Sequence, residues 1–254
     1  MSPKIVCIIQ ARMGSTRLPG KVLKEIKGKP MIQYTLENLV HSKYIDQIVL
    51  ATSVLDQDDA IEEFATEFGI NLFRGSEEDV LSRYYHAAKE YDADIIVRVT
   101  GDCPLIDYQI TDKVIETFLD NPKADFVANN LKRTFPRGVD TTVFKFSALE
   151  EAYKNADKQP EREHVVPYIQ TTHRDKFNIM SYEAEGEFRR PDIRITVDEK
   201  DDFKLIKEII TRIEDEPINL EQVIDLLNQN PKLLKINEHV EQKKTNLSVN
   251  EEIE

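Results

Sequence analysis

A chain of 254 residues, 40% hydrophobic and 32% charged, is long enough for one large α/β core or two small ones, and its composition is that of a globular protein with a heavily charged surface. Its formal net charge of −13 argues against general nucleic-acid binding, which needs a basic face. No run approaches the roughly 20 apolar residues of a membrane span, the N-terminal apolar run is too short for a signal peptide, and Cys7 and Cys103 are too few for a disulfide framework, so the expectation is a cytoplasmic protein partnered by neither nucleic acid nor membrane.

The first element is a β-branched run, Ile5-Val6-Cys7-Ile8-Ile9, of strand length and apolar on both faces, as in a buried parallel strand. It breaks into a loop with Gly14, Pro19, Gly20 and three cations, Arg12, Arg17 and Lys21. A buried strand running into a Gly-containing cationic loop is how α/β proteins cradle a phosphate chain. The loop is no P-loop: five residues separate Gly14 from Gly20, and Val22 follows Lys21 where that motif has Ser or Thr. No G-x-G-x-x-G is present either. Pro19 removes a backbone donor, so positive charge has to come from side chains more than from amides. In an acidic protein such a cluster is a local electropositive site.

Alternating elements follow. Pro30–Val40 is expected to be a helix with Ile32, Leu36, Leu39 and Val40 on one face, Ile45–Thr52 a buried strand, Asp56–Phe68 a helix stopped by Gly69, and Ile70–Phe73 a short strand. The loop Arg74-Gly75-Ser76 leads to a helix over Glu78–Tyr91, with Ser76 as its N-cap. Ile95–Thr100 is a central strand ending in Gly101-Asp102-Cys103-Pro104. A carboxylate directly after such a strand is placed to hold a divalent metal, although Asp is also a common turn residue.

A helix over Asp107–Leu119, a strand over Ala124–Asn129, a basic loop from Lys132 to Gly138 and a strand over Val139–Phe144 come next. Arg133 and Arg137 suit paired contacts to a substrate carboxylate, and equally suit a solvated basic loop. His164, in Glu161-Arg162-Glu163-His164-Val165, has the composition of an acid–base group or of a hydrogen-bonded structural histidine. Phe177–Tyr182 and Ile193–Asp198 are expected strands, the second again ending in a carboxylate. Acidic residues then open a helix at Phe203, and a last helix covers Ile218–Asn228. The pattern predicts a single α/β domain over 1–240 with a mostly parallel sheet flanked by helices, and a mobile polar tail over 241–254.

Several of these stretches resemble the sugar-activating cytidylyltransferases, above all their spore coat polysaccharide branch (SpsF-like). The run A-R-x-G-S-T-R-L-P-G-K-x-L from Ala11 is similar to that family's opening signature, Gly101-Asp102-Cys103-Pro104-Leu105 to its G-D-x-P-L motif, and Arg194-Ile195-Thr196-Val197-Asp198 to its closing motif. The resemblance covers about Ile5 to Ile210. It implies a Rossmann-like, GT-A-like nucleotidyltransferase sheet, and CTP and a small acidic sugar as partners. It further implies a magnesium ion on Asp102 and Asp198, and a nucleotide held by Ala11, Arg12, Gly14, Ser15, Arg17, Lys21, Arg74, Gly75, Ser76 and Asp102. Arg12 and Lys21 would stabilise developing charge. Arg133, Arg137, Asp140 and His164 would face the acceptor, and a homodimer is compatible with the same reading. Three rivals stay open: a GT-A-type glycosyltransferase, whose D-x-D motif has a counterpart only in Asp92-Ala93-Asp94 ahead of its strand; a nucleotidyltransferase for another base or acceptor; and a non-enzymatic nucleotide-binding module.

Overall fold

Strand β1 (Ile5–Gln10) is buried along nearly its whole length, as its unbroken apolar run requires. The structure, a computed structural model, describes residues 2–242. After β1 the chain forms a two-residue hairpin, β2 (Glu25–Ile26) with β3 (Lys29–Pro30), then α1 (Met31–Leu39), β4 (Gln47–Ser53), α2 (Asp59–Phe68), β5 (Asn71–Gly75), α3 (Val80–Glu90), β6 (Ile95–Thr100) and α4 (Tyr108–Leu119). The second half adds β7 (Phe126–Ala128), β8 (Thr142–Lys145), α5 (Phe146–Asn155), α6 (Gln159–His164), β9 (Ile179–Ser181), α7 (Lys200–Arg212) and α8 (Leu220–Gln229).

Among the described residues, seven strands form one sheet in the order β5-β4-β1-β6-β8-β7-β9. Only β8 runs against the others, pairing antiparallel with β6 and β7. The carboxyl ends of β5, β4, β1 and β6 therefore open on the same edge as the amino end of β8, which is the edge where α/β proteins bind ligands. The chain is a single α/β domain with a mostly parallel sheet, as expected.

Alternation along the strands feeds two cores. Val6, Ile8, Val49 and Ile96 pack on one face with Leu81 and Tyr84 of α3 and Leu149 of α5. Cys7, Ile9, Leu50 and Val97 pack on the other with Leu36 of α1, Ile61 of α2 and Ile115 of α4. A third cluster gathers Leu18, Ile26, Phe135, Ile195 and Val197 around Leu205 and Ile209 of α7 and Ile224 of α8.

Helix ends follow their local chemistry. Asp107 caps α4, its carboxylate accepting from Gln109 N (2.7 Å) and Ile110 N (3.0 Å), and its other oxygen accepts from Leu220 N (2.6 Å) at the start of α8. Gly69 closes α2 at φ 76°. Ser76 does not cap α3. Asp79 does, accepting from Ser82 N at 2.9 Å, while Ser76 Oγ accepts from Asp79 N. The polar turn is longer than one cap, and the carboxylate nearer the helix takes the role. Arg74 and Gly75 belong to β5 and not to the loop after it.

Two larger differences concern the second half. Helix α5 lies in a stretch where no element is expected from the residue pattern. Ile193–Asp198 is no sheet strand: it carries one isolated bridge, Arg194 to Arg137, and otherwise hangs on loop contacts. Of the tail expected over 241–254, only Glu241 and Gln242 lie within the described residues. Among the described residues no helix is long and apolar enough to cross a membrane.

Candidate active site

The loop after β1 is shaped largely by its own backbone. Ser15 N and Gly20 N both donate to Met13 O (2.8 and 3.0 Å), Leu18 N donates to Ser15 Oγ (3.3 Å), and Leu18 is buried in the third cluster. Gly20 takes φ 66°, a conformation that favours glycine, and so turns the chain into a short 3-10 turn beginning at Lys21. Gly14 lies between Gln57 and Glu77: a Cβ there would stand 3.0 and 3.1 Å from their side chains.

That fold of the loop drives Lys21 inward. Its side chain is 11% exposed, and its ammonium donates to Asp102 Oδ2 (3.0 Å), Asp198 Oδ1 (3.2 Å) and Val197 O (2.5 Å). Asp102 follows β6 directly, and its Oδ1 accepts from Thr100 Oγ1 at 2.6 Å. Asp198 arrives from a remote part of the chain because Val197 N and Thr196 Oγ1 both donate to Asp102 O (2.8 and 3.2 Å). The two carboxylates expected to share a cation do share one, and it is Lys21.

Asp198 is enclosed by positive charge. Besides Lys21 it meets Arg17 (3.1 Å) and Arg194 (2.8 Å). Burial works against its charge, but Lys21, Arg194 and Arg17 outweigh it and hold the carboxyl below the usual carboxylate range. Burial likewise opposes the Lys21 ammonium, and Asp102 and Asp198 outweigh it, so the proton is held more tightly than on an ordinary lysine.

Behind this cluster stands a second layer that sequence reasoning missed. Arg194 grips Asp202 through Nε (2.9 Å) and Nη2 (3.1 Å), and Asn237 Nδ2 donates to Asp202 Oδ1 (2.8 Å). Asp202 also accepts from the backbone N–H of Asp198 (2.9 Å) and Glu199 (3.0 Å). In the sequence Asp202 is one acid among several at a helix start, with nothing to single it out. Asp58 was equally hidden in an acidic run. It is fully buried and accepts from Met13 N (2.7 Å) and Ser53 N (3.2 Å), pinning the cationic loop to β4.

The remaining expected residues divide. Arg12 is the most open of the loop cations and contacts Glu77 at 3.5 Å. Arg74 is a structural clasp: it bonds Ser53 O (2.9 Å) and Leu55 O (3.0 Å) and pairs with Asp59 (2.7 Å) and Glu62 of α2. Arg133 is held two-pronged by Asp140, at 2.5 and 2.9 Å. The backbone of Arg137 is laced to Ile193 O (2.9 Å) and Ile195 N (2.7 Å). His164 ends α6, and the next residue, Val165, sits at φ 72°, an uncommon backbone for a β-branched side chain.

Residues 6–247 match the model of a family described as cytidylyltransferase. The chain is 33% identical over 237 residues to the spore coat polysaccharide biosynthesis protein SpsF of Bacillus subtilis, covering 89% of this chain and 95% of that one. It is 40% identical over 119 residues to a 3-deoxy-manno-octulosonate cytidylyltransferase of Trichlorobacter lovleyi, 47% of this chain and 46% of that protein. Among solved structures, a cytidylyltransferase from Leptospira borgpetersenii superposes with a TM-score of 0.87 at 38% identity, covering 91% of this chain and 97% of that one.

Proposed function

The chain belongs to the cytidylyltransferase family, and on that premise we propose that it transfers CMP from CTP to an acidic sugar of the nonulosonic-acid type, for a surface or spore coat polysaccharide. The observation that carries this reading is the convergence of Lys21, Asp102 and Asp198 on the sheet edge where the loop with Arg12 and Arg17 leaves β1. A cation between two carboxylates, with Arg17 and Arg194 also against Asp198 and Arg12 open on the same loop, suits a polyphosphate better than a neutral ligand. The names of the Bacillus and Trichlorobacter relatives support a sugar-activating role and an acidic acceptor.

Arg12 and Arg17 would bind the outer phosphates, and Lys21 would donate to the α-phosphate as its charge rises. The sugar hydroxyl oxygen attacks the α-phosphorus in line and the O–P bond forms. The bond from that phosphorus to the bridging oxygen breaks, pyrophosphate leaves with the electron pair, and the hydroxyl proton passes to water. The protein's share is alignment and countercharge. The acceptor would lie toward Arg133, Arg137, Asp140 and His164.

The donor set fits magnesium. Asp102 and Asp198 offer hard carboxylate oxygens from two remote segments, and a single ammonium already bridges them where a cation is required. When bound, such an ion supplies countercharge to the triphosphate. The test is pyrophosphate release from CTP, ATP and GTP against a panel of sugar acids. CTP with a sugar acid is expected to be the productive pair, and equal turnover with ATP would overturn the cytidine assignment.

A further inference from the structure

Arg98 is the charged residue of β6, in a strand otherwise built of Ile95, Ile96, Val97, Val99 and Thr100. The cations already described face carboxylates: Lys21 meets Asp102, Arg17 meets Asp198, Arg133 meets Asp140 and Arg194 meets Asp202. Arg98 does not. Among the described residues it makes no ion pair. Its Nη2 donates to Gln10 Oε1 at 3.2 Å, its guanidinium carbon stands 5.9 Å from the centre of the Tyr84 ring, and its Nε is buried with no hydrogen-bond partner among the described residues. A buried charged donor left open is rare in native structures and asks for a reason.

Its position supplies one. Arg98 pairs with Ile8 of β1 on one side and Thr142 of β8 on the other, while Gln10 pairs with Thr100. Strand alternation puts Gln10, Arg98 and Thr100 on one face of the sheet. Thr100 already touches Asp102, and Thr142 follows Asp140 by two residues. Arg98 thus stands on the strand between the nucleotide loop and the acceptor-side segment, one alternation below Thr100.

We propose that Arg98 receives the carboxylate of the acidic acceptor, its open Nε and neighbouring Nη forming a two-pronged contact that Gln10 orients. The inference rests on the function proposed above and deepens it to a residue that determines specificity. A planar guanidinium matches a carboxylate through paired N–H donors. Arg133, one of the two arginines the sequence offers for this task, has already closed its own fork on Asp140. A neutral sugar would leave the Arg98 donor buried and unmade, which is a means of rejecting it.

The test compares the wild type with Arg98→Gln and Arg98→Lys, using CTP and sugar acids that include 3-deoxy-manno-octulosonate, each beside its uncharged carboxamide. Arg98→Gln is expected to raise the KM for the acid about ten- to a hundredfold. CTP affinity by calorimetry should move no more than about twofold. The amide should be a poor acceptor for the wild type and lose nothing further in the variant. Arg98→Lys keeps the charge without the fork and should fall between them, and it carries the comparison alone if Arg98→Gln does not fold. A fall in CTP affinity matching the loss for the acid would assign Arg98 to the nucleotide and overturn the proposal. Unchanged kinetics with both substrates would overturn it too, leaving Arg98 a structural residue. Failure of the acceptor class itself shows separately, as a wild type that releases pyrophosphate with no sugar acid at all.

Discussion

The ammonium of Lys21 sits 3.0 Å from Asp102 and 3.2 Å from Asp198, so a residue near the start of the chain joins two carboxylates that lie far apart in sequence. Read as a loop cation, Lys21 should be removable without harm to the fold. Its burial says otherwise. Lys21→Ala leaves two carboxylates facing each other with their shared partner gone, and breaking a buried pair in this way costs about 3–5 kcal/mol. Calorimetric melting should show that loss at neutral pH, together with loss of pyrophosphate release. Melting should recover in part as the pH is lowered and one carboxylate takes a proton. Unaltered melting would mean that Arg17 and Arg194 suffice.

The same cluster sets the pH range of stability. The folded-state pKa of Asp198 is depressed, so its contribution is present above about pH 4 and is lost as the pH falls from there through the lower folded value. That of Lys21 is raised, so its contribution is present below about pH 10.4 and is lost as the pH rises through the higher folded value. Denaturant midpoints across pH should give a plateau falling at both ends. Asp198→Asn should flatten the acid limb relative to the wild type.

Asp201 and Asp202 are neighbours with opposite expectations. Asp202 is fully buried and anchors Arg194, Asn237 and two backbone N–H groups, so Asp202→Ala should cost about 3–5 kcal/mol. Asp201 is only half-buried, opposite His239, and Asp201→Ala should stay within about 0.5 kcal/mol. Urea midpoints of the two variants decide the matter, and equal values would deny Asp202 its anchoring role.

Gly138 is at φ 120°, and a Cβ there would meet Ile195 C at 2.6 Å and Thr196 N at 2.7 Å, both backbone atoms that cannot swing aside. Gly138→Ala should therefore displace the segment that carries Asp198, lowering turnover as well as stability. Gly28→Ala shares a positive φ but meets nothing within 4 Å, and should cost only about 1–2 kcal/mol with activity kept. Equal activity in the two variants would detach Gly138 from the site.

Asp102→Asn and Asp198→Asn are each expected to move the magnesium titration to higher concentration and to slow pyrophosphate release severely. Neither should raise stability, because Lys21 already compensates the pair. If Asp198→Asn left the titration unchanged, the second magnesium ligand would lie elsewhere.

Where burial is periodic and contacts are local, the sequence was sufficient. The runs Ile5–Ile9, Ile48–Ala51 and Ile95–Val97 are apolar on both faces, and each appears in a central or inner strand. The cation and carboxylates of the site were also visible, since Lys21 and Asp102 directly follow breaks in structure. Long-range contacts were not. Ile193–Asp198 has the composition of a strand, yet its backbone bonds go to Arg137 and Asp102 instead of to a neighbouring strand. Asp58, Asp202 and Asn237 are polar residues whose burial depends on elements far away in sequence, and no local pattern separates them from surface acids. Arg98 did leave a mark, a lone charge in an apolar strand, which acquires meaning only once its unpartnered Nε is seen.

Because Asp198 is held by Lys21 and Arg194, Arg194 by Asp202, and Asp202 in turn by Asn237, the site is finished only after Asn237 has been made. The sheet from β1 to β6 is complete while more than half of the chain is still unmade. Domains generally fold as units during synthesis, so a nascent chain of this single domain would carry its cationic loop without the second carboxylate until the residues around Asn237 emerge and fasten it. A chain cut short between β6 and Asp198 would retain the residues of the cationic loop and lack the second carboxylate that completes the cluster.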